Sequence, residues 1–476
     1  SSLESGSTSG MQLVVNNVLE ATFGPLFVGS ATYRAHMSAL YRTSTHERIF
    51  ECQNDLGASF AALGASRVSS DAGNHAQLPC LWLTGDDPYV QGASGVGEAF
   101  MDNVPMLCII AQTQPQFDCI AVAARCCAPL CVNCVPGFTD SEVNSVEVST
   151  LSGSICECAQ DARLLRRHVV RDFGELGDAL EKATHAARTL RGGGPALIVL
   201  APSLFKSTEL MGISNTTTVE GGNADLGTLQ ASENRPAAAE TLDESMEASL
   251  NALCASRRLL VYAGQGAAHC SSLLEKLTEL SGCIVATTWS GKGALSEYHP
   301  RWLWCAIGAA LPPPLRDVAA DADACLIVGA RLSEAATSHY RWQLPALTVH
   351  VDIDTSTLQA VIQVPHAVCA DSAVFLNHLV AKFATKNNSK GESFTRDILA
   401  WHQDLIDAHS VISVQLDEQS RNTVPSASLL AMKLRQKCPR DTSFCTDSGN
   451  GTPLFAERLR VDKPWRFHCP SDYSSM

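Results

Sequence analysis

The sequence lacks the long apolar runs and the excess of positive charge that mark two large classes of protein. No apolar run reaches the roughly 18–20 residues that a membrane-spanning helix requires. The 35 Lys and Arg residues are outnumbered by 49 Asp and Glu residues, which gives a formal net charge of −14. Because nucleic-acid backbones are bound by clustered Lys and Arg side chains, we expect neither a nucleic-acid partner nor a membrane span.

A starting Met and several common catalytic motifs are also missing. The first residues, SSLESGSTSG, contain no apolar segment and suggest a processed or trimmed end, as after removal of an organelle presequence. The sequence contains no P-loop, no HExxH motif and no Ser-His-Asp order, and its 14 His residues show no ligand spacing. Because these motifs are absent, we expect neither a P-loop nucleotidase nor a zinc protease of the HExxH type.

Cysteine, by contrast, is abundant. The 19 Cys residues are odd in number, irregularly spaced and often placed within apolar stretches. This pattern favours reduced thiols in a reducing intracellular compartment, either a mitochondrial matrix, another organelle or the cytoplasm. The densest cluster comprises Cys126, Cys127, Cys131, Cys134, Cys156 and Cys158. Its CxxC and CxC pairs leave two interpretations open, a zinc site and ordinary packing of small apolar thiols.

Strand-like and helix-like segments alternate along the chain, which predicts an α/β fold. Continuous apolar runs at 79–85, 105–112 and 194–202 are typical of parallel strands that are buried on both faces. A second set of such runs begins at RRLLVYAGQG, from residue 257. We therefore predict two complete domains with parallel sheets flanked by helices, followed by a truncated third α/β segment.

The predicted boundaries follow shifts in composition. They are a flexible N-terminus at 1–10, a first domain at 11–206, a linker at 207–246, a central Rossmann-like domain at 247–384, a connection at 385–425 and the third segment at 426–476. The third segment is too short to form the complete α/β domain that its first helix and strand predict.

Several segments resemble enzymes that depend on thiamine diphosphate. TTWSGKGALSEYHP, ADACLIVGARLSEAAT, VHVDIDTSTLQ and VCADSAVFLNHL, which occur in this order from residue 287 to 379, resemble the central domain of acetolactate synthase-type enzymes. Residues 52–67, which end in an Ala-x-Gly-x-x-Arg pattern at Arg67, resemble the N-terminal pyrimidine-binding domain of the same family, and 445–476 resemble the opening of its diphosphate-binding domain. The resemblance extends over about residues 11–476.

The resemblance implies a role for the helix that begins near Asp55. In this family a Glu protonates the cofactor's aminopyrimidine ring, which lets the ring activate the thiazolium carbon. That Glu falls on Asp55 and the preceding His on Asn54. Asp is shorter by one methylene, about 1.5 Å of reach, and a displacement of roughly 1 Å can cost 100-fold in rate. We therefore expect Asp55 to be inactive at this position.

The pyrimidine turn of the family is altered as well. Its Gly-Pro-Gly becomes Asp86-Asp87-Pro88, and the Asn after it becomes Gln91. These side chains add bulk and charge where glycine leaves room for a flat ring. An ordinary strand-to-helix turn with acids at the helix start is the alternative.

The Gly-Asp-Gly motif that holds magnesium and the diphosphate in the family does not occur in this sequence. Without carboxylate and amide ligands for Mg²⁺, we expect a single copy of the chain to bind neither metal nor thiamine diphosphate. Binding of both then requires that a partner supplies the third domain.

The central domain keeps the family pattern better. In acetolactate synthases this domain binds FAD, and here Gly264, Gly266, Gly291, Lys292 and Arg331 are the residues that would line the crevice. A Gly-x-Gly turn is also required by backbone conformation alone, so an FAD site and a ligand-free fold both stay open.

Three functions remain. The first is a non-catalytic homologue that serves as a structural or regulatory subunit of an oligomer, paired through the N-terminal domain. The second is an active 2-keto acid carboligase or decarboxylase whose diphosphate domain lies on another chain or outside this sequence. The third is a flavin- or nucleotide-binding protein that works through the central domain. We favour the first because the departures from the family pattern fall in one active site.

Overall fold

The computed structural model describes most of the chain, with gaps. The described residues are 10–29, 46–71, 77–84, 86–111, 167–170, 173–189, 194–200, 244–338, 340–355, 357–358, 360–386, 392–420, 427–447, 449 and 451–469. The chain divides into two compact units, Ser1–Pro236 and Ala237–Met476. The division falls within the segment predicted as a linker, of which only 244–246 is described.

The first unit is built on a parallel sheet of six strands. They are β1 (Phe23–Gly29), β2 (Ile49–Cys52), β3 (Leu78–Thr84), β4 (Met106–Ala111), β5 (Arg167–Val170) and β6 (Pro195–Leu200). The strand order is β2-β1-β3-β4-β6-β5, and each pairing is parallel. Every residue of β3, β4 and β6 is buried, as expected for apolar strands covered on both faces.

Helices cover both faces of this sheet. They are α1 (Gly10–Thr22), α2 (Asp55–Asp71), α3 (Asp86–Met101) and α4 (Phe173–Thr189). Residues of α1 and α4, such as Val18 and Leu180, pack in one core cluster. Residues of α2 and α3, such as Ala62 and Val96, pack in the cluster on the other face. The predicted α/β architecture is confirmed in this unit.

The second unit has a parallel sheet of five strands. They are β7 (Leu259–Ala263), β8 (Ile284–Thr287), β9 (Ala324–Val328), β10 (Leu347–Asp352) and β11 (His366–Cys369). Their order is β11-β10-β9-β7-β8. The chain leaves β7 toward β8 on one side and later returns to β9 on the other side. The carboxyl ends of β7 and β9 therefore border a topological switch point, where open α/β sheets bind ligands.

Seven helices of the described second unit surround or extend this sheet. They are α5 (Glu244–Ala255), α6 (Ser271–Ser281), α7 (Pro313–Ala320), α8 (Ser372–Lys386), α9 (Glu392–Ser420), α10 (Ala427–Lys437) and α11 (Gly451–Arg458). The segment predicted as a connection holds the long helix α9, which buries Trp401 and Leu405 in the core. Among the described residues, no helix combines the length and apolar character needed to cross a membrane.

The third segment belongs to the second unit. Two short parallel strands, β12 (Phe444–Cys445) and β13 (Phe467–His468), accompany α10 and α11. Ala456, Val461 and Phe467 lie in the same hydrophobic core cluster as the strands β7 to β10. Since this core is continuous, the segment and the central sheet form one folded body.

Candidate functional site

Asp55 stands at the first position of α2, and two residues separate it from the end of β2. Only 5% of its surface is exposed. The preceding residue, Asn54, caps the helix, because its Oδ1 accepts a hydrogen bond from the backbone N–H of Gly57 at 2.7 Å. The position that aligns with the family's His therefore has a structural role here.

The carboxyl group of Asp55 lies against the last residue of β1. A Cβ atom placed on Gly29 would be 2.4 Å from Oδ1 of Asp55, so only glycine leaves room for this carboxyl group. The group is thus enclosed by its own unit. A thiamine ring would have to approach an acid that is buried and one methylene shorter than Glu.

The residues of the altered turn lie in the first turns of α3. The helix begins at Asp86 and includes Asp87, Pro88 and Gln91; for these four residues only the backbone is described. Acidic residues stabilise a helix start, and a proline is tolerated in a first turn because the N–H there has no partner within the helix. The backbone agrees with the alternative of an ordinary helix start.

A buried charge network joins α2 to α3. Arg67 forms ion pairs with Glu98, at 3.5 Å, and with Asp102. Both acids are buried, and the guanidinium group is largely covered. Arg67 ends the family-like segment 52–67, whereas no motif in the sequence marks its acidic partners Glu98 and Asp102.

In the second unit, the three glycines of the predicted crevice make room for other backbone segments. A Cβ on Gly264 would lie 2.1 Å from the carbonyl oxygen of Gly329, and one on Gly266 would lie 2.8 Å from the Cα of Gly329. The N–H of Gly266 also donates to that carbonyl oxygen at 3.0 Å. A Cβ on Gly291 would lie 2.5 Å from the carbonyl oxygen of Ala263. These contacts explain the glycines without a ligand.

Lys292 is buried and holds the third segment against the central sheet. Its Nζ lies 2.6 Å and 2.8 Å from the two carboxylate oxygens of Glu297. The same ammonium group donates to the carbonyl oxygen of Ala456 at 2.6 Å. Glu297 in turn accepts from the backbone N–H of Val461 at 3.0 Å. Lys292 therefore lies in the core and is not among the residues that line the pocket described next.

A pocket of about 110 Å³ lies outside the carboxyl ends of β7, β8 and β9. Of the five residues predicted for the crevice, Arg331 lines it. The remaining lining residues are Tyr262, Gln265, Thr288, Trp289, Ser290, Cys305, Ala306, Ala310, Gly329, Ala330, Leu332, Ser333, Ala336, Pro453 and Glu457. The last two come from α11, a helix that no motif in the sequence links to the crevice.

The pocket combines groups of opposite charge with aromatic and hydroxyl groups. Burial raises the pKa of the Glu457 carboxyl group, against the lowering influence of Arg458. Burial also raises the pKa of the Cys305 thiol to about 12, which leaves it uncharged at neutral pH. The hydroxyl group of Tyr262 donates to the carbonyl oxygen of Ala336 at 2.7 Å.

The size of the pocket limits its ligand. Sites for drug-sized molecules and cofactors usually measure about 300–1,000 Å³, and this pocket is well below that range. It has room for a small molecule or for one ring of a larger one, and its volume is too small for a whole flavin dinucleotide. Within the described residues, no group of three or more His, Cys, Asp or Glu side chains is arranged to hold a metal ion. The cysteine cluster from Cys126 to Cys158 lies outside those residues.

Comparison with known proteins gives matches of two kinds. Residues 246–379 match the family model described as "Thiamine pyrophosphate enzyme, central domain". The chain is 24% identical over 227 residues to a probable acetolactate synthase large subunit of Methanococcus aeolicus, which covers 46% of the chain and 38% of that protein.

Two plant relatives match over a longer range. The chain is 23% identical over 385 residues to the chloroplastic acetolactate synthase 1 of Oryza sativa subsp. japonica. It is also 23% identical over 382 residues to the protein of the same name from Zea mays. Each match covers 80% of the chain and 51% of the relative. The chain thus spans about half the length of these relatives, or less.

Proposed function

Because the chain belongs to the thiamine-diphosphate-dependent, acetolactate synthase-like family, we propose that it is a non-catalytic member serving as a structural or regulatory subunit of a larger assembly. The observation that carries the proposal is the placement of Asp55. Its carboxyl group is one methylene shorter than the family's Glu, 5% exposed and packed against Gly29. An acid that protonates the cofactor's aminopyrimidine ring must lie within hydrogen-bonding distance of that ring. The side chain of Asp55, however, is enclosed by its own unit.

The neighbouring positions support the same proposal. Asn54, at the family's His position, is engaged as a helix cap. Asp86, Asp87 and Pro88, at the family's Gly-Pro-Gly position, lie in a regular helix. Two residues of the family pattern that remain, Arg67 and Lys292, make structural ion pairs.

The experiment measures cofactor retention. The purified chain is incubated with thiamine diphosphate and Mg²⁺, dialysed and assayed by mass spectrometry, beside the variant Asp55→Asn. We expect neither protein to retain cofactor or to consume a 2-keto acid. Stoichiometric thiamine diphosphate in the wild-type protein that disappears in Asp55→Asn would contradict the proposal.

An active carboligase or decarboxylase is the second candidate, and it is favoured by the carboxylate retained at position 55. In this case the diphosphate- and magnesium-binding part lies on another chain or outside this sequence. The assay is repeated with a partner that contains Gly-Asp-Gly. Turnover of a 2-keto acid that requires both chains and is lost in Asp55→Asn would establish this candidate instead.

The subunit role and the location are tested together. We propose pairing with itself or another protein through the first unit, in the matrix of a mitochondrion or another organelle. A tagged chain is recovered from fractionated cells, and the mass of the intact assembly is measured. A monomer that is found in the cytoplasm would contradict both points. An absorption spectrum of the same sample tests for FAD, which we do not expect to be retained.

A further inference from the structure

The pocket at the switch point of the second unit has walls from two distant parts of the chain. Arg331 follows β9, and Glu457 lies on α11. The residues that line the pocket therefore include one basic and one acidic side chain. Such a pair suits a ligand that carries a carboxylate for Arg331 and a cationic nitrogen for Glu457.

The wall that carries Glu457 is fixed firmly in place. Lys292 and Glu297 bind the chain at Ala456 and Val461, on both sides of Glu457. The backbone N–H of Glu297 also donates to the carbonyl oxygen of Val461 at 3.1 Å.

Two further contacts hold the same wall. The thiol of Cys305, which itself lines the pocket, donates to the carbonyl oxygen of Ala456 at 3.3 Å. Farther along, Gly293 has a φ of +81° and no room for a Cβ, because the carbonyl oxygen of Lys463 would lie 2.1 Å away. The segment from 451 to 469 is thus a built part of the pocket.

The volume fixes the size class of the ligand. A buried apolar cavity of roughly 150 Å³ accommodates benzene, with six heavy atoms. A pocket of about 110 Å³ therefore accommodates a molecule of that size or slightly smaller. Ser290, Ser333 and Gln265 are polar residues of its lining.

We propose that this pocket binds a small α-amino acid as a zwitterion, with its carboxylate on Arg331 and its ammonium group on Glu457, and that segment 451–469 completes the site. The proposal goes beyond the subunit role and does not depend on it. Because ligand and segment contact each other, each stabilises the other by linkage.

Three small probes test the proposal on the full chain. L-alanine carries both charges, propionate only the carboxylate and isopropylamine only the ammonium group. Thermal unfolding is followed at probe concentrations up to ~100 mM, which saturate even a site with a millimolar Kd. We expect a saturable rise in the unfolding temperature with L-alanine alone. No rise, or equal rises with all three probes, would overturn the proposal.

Matched variants separate recognition from general charge effects. Arg331→Met and Glu457→Gln remove the two recognition groups, and each should weaken L-alanine binding at least tenfold. Arg396→Met and Glu418→Gln change exposed residues of α9 and should bind as the wild type does. If the first pair bound L-alanine normally, the assignment of the two walls would be wrong.

A third variant tests the role of the segment. Lys292→Met with Glu297→Leu replaces the buried ion pair by apolar groups, an exchange that many cores tolerate. Relative to the wild type, this double variant should show a larger acceleration of hydrogen exchange in 451–469 than in α6. It should also bind L-alanine at least tenfold more weakly. In the wild type, L-alanine should slow exchange in 451–469. Fast exchange there with undiminished binding would show that the segment is not part of the site.

Discussion

At the scale of the residue, the carboxyl group of Asp55 illustrates how a backbone limits a side chain. Gly29 ends β1 with no Cβ, and Asp55 fills the space that this absence leaves. A longer acid has to displace the strand or leave the space. The fit between these two residues therefore opposes the Glu that the family uses at this position.

We predict that Asp55→Glu destabilises the first unit. One additional methylene in a filled site typically costs about 1–3 kcal/mol. Urea unfolding, followed by a probe in the first unit, measures the change. The control is Glu51→Gln on the exposed part of β2, which should change the free energy of unfolding by less than about 0.5 kcal/mol. An Asp55→Glu protein as stable as the wild type would show that the site has spare room.

Glu457 provides a second prediction at this scale, on pH. Its pKa is raised by burial in the folded state, so the folded protein binds a proton that the unfolded chain has already released. The free energy of unfolding therefore falls as the pH rises from the ordinary pKa of a Glu through the raised one.

The substitution Glu457→Gln removes the fall in the free energy of unfolding that accompanies rising pH. Relative to the wild type, the variant should gain stability as the pH is raised from 4 to 7 and gain none below both pKa values. Urea unfolding at a series of pH values measures the difference. The exposed Glu418→Gln is the control and should show a flat difference. A flat difference for Glu457→Gln would mean that its pKa is not raised in solution.

At the scale of the element, helices α2 and α3 are joined by small residues and one cation. Gly95 has no room for a Cβ, because the side chain of Ser59 would lie 2.3 Å away. This close approach places Arg67 beside two buried acids. Packing and charge therefore depend on each other along the same pair of helices.

We predict that Arg67→Met strongly destabilises the first unit. Removing one partner of a buried ion pair typically costs about 3–5 kcal/mol, because the charges left behind are desolvated. Lys182→Met breaks the exposed pair between Lys182 and Asp178 on α4 and should cost at most about 0.5 kcal/mol. Equal effects of the two variants in urea unfolding would contradict the role of Arg67.

The elements themselves were predictable where their signals are local. The strands near 78–84, 106–111 and 195–200 are continuous apolar runs, and a parallel sheet requires nothing else of them. The glycines were not predictable in the same way. Gly264 and Gly266 look alike whether the missing Cβ admits a phosphate or the backbone at Gly329, which lies far away in sequence.

The candidate site was predictable only in part for the same reason. Arg331 was identified because it sits in a segment with the family pattern. Glu457 was not, since its place in the pocket depends on a contact between Lys292 and a segment more than 150 positions later. Lys292 was expected at the crevice, and only the position of Glu297 and Ala456 around its ammonium group shows its structural role.

At the scale of the whole molecule, the two compact units have separate cores. We predict two transitions in calorimetric unfolding. Arg67→Met should lower the temperature of one transition, and Lys292→Met should lower that of the other, because each variant damages a different core. A single transition that both variants shift equally would show that the units unfold together.

The buried pair of Lys292 and Glu297 also sets an order of events during synthesis. Glu297 and its partner Val461 are 164 positions apart. At a rate of roughly 5–20 residues per second, the ribosome needs about 8–30 s to add the intervening residues. During that interval the strands β7 to β11 have been made, while Ala456, Val461 and Phe467 are still missing from their core. The unit is therefore most exposed to aggregation, and most dependent on chaperones, just before its last elements emerge.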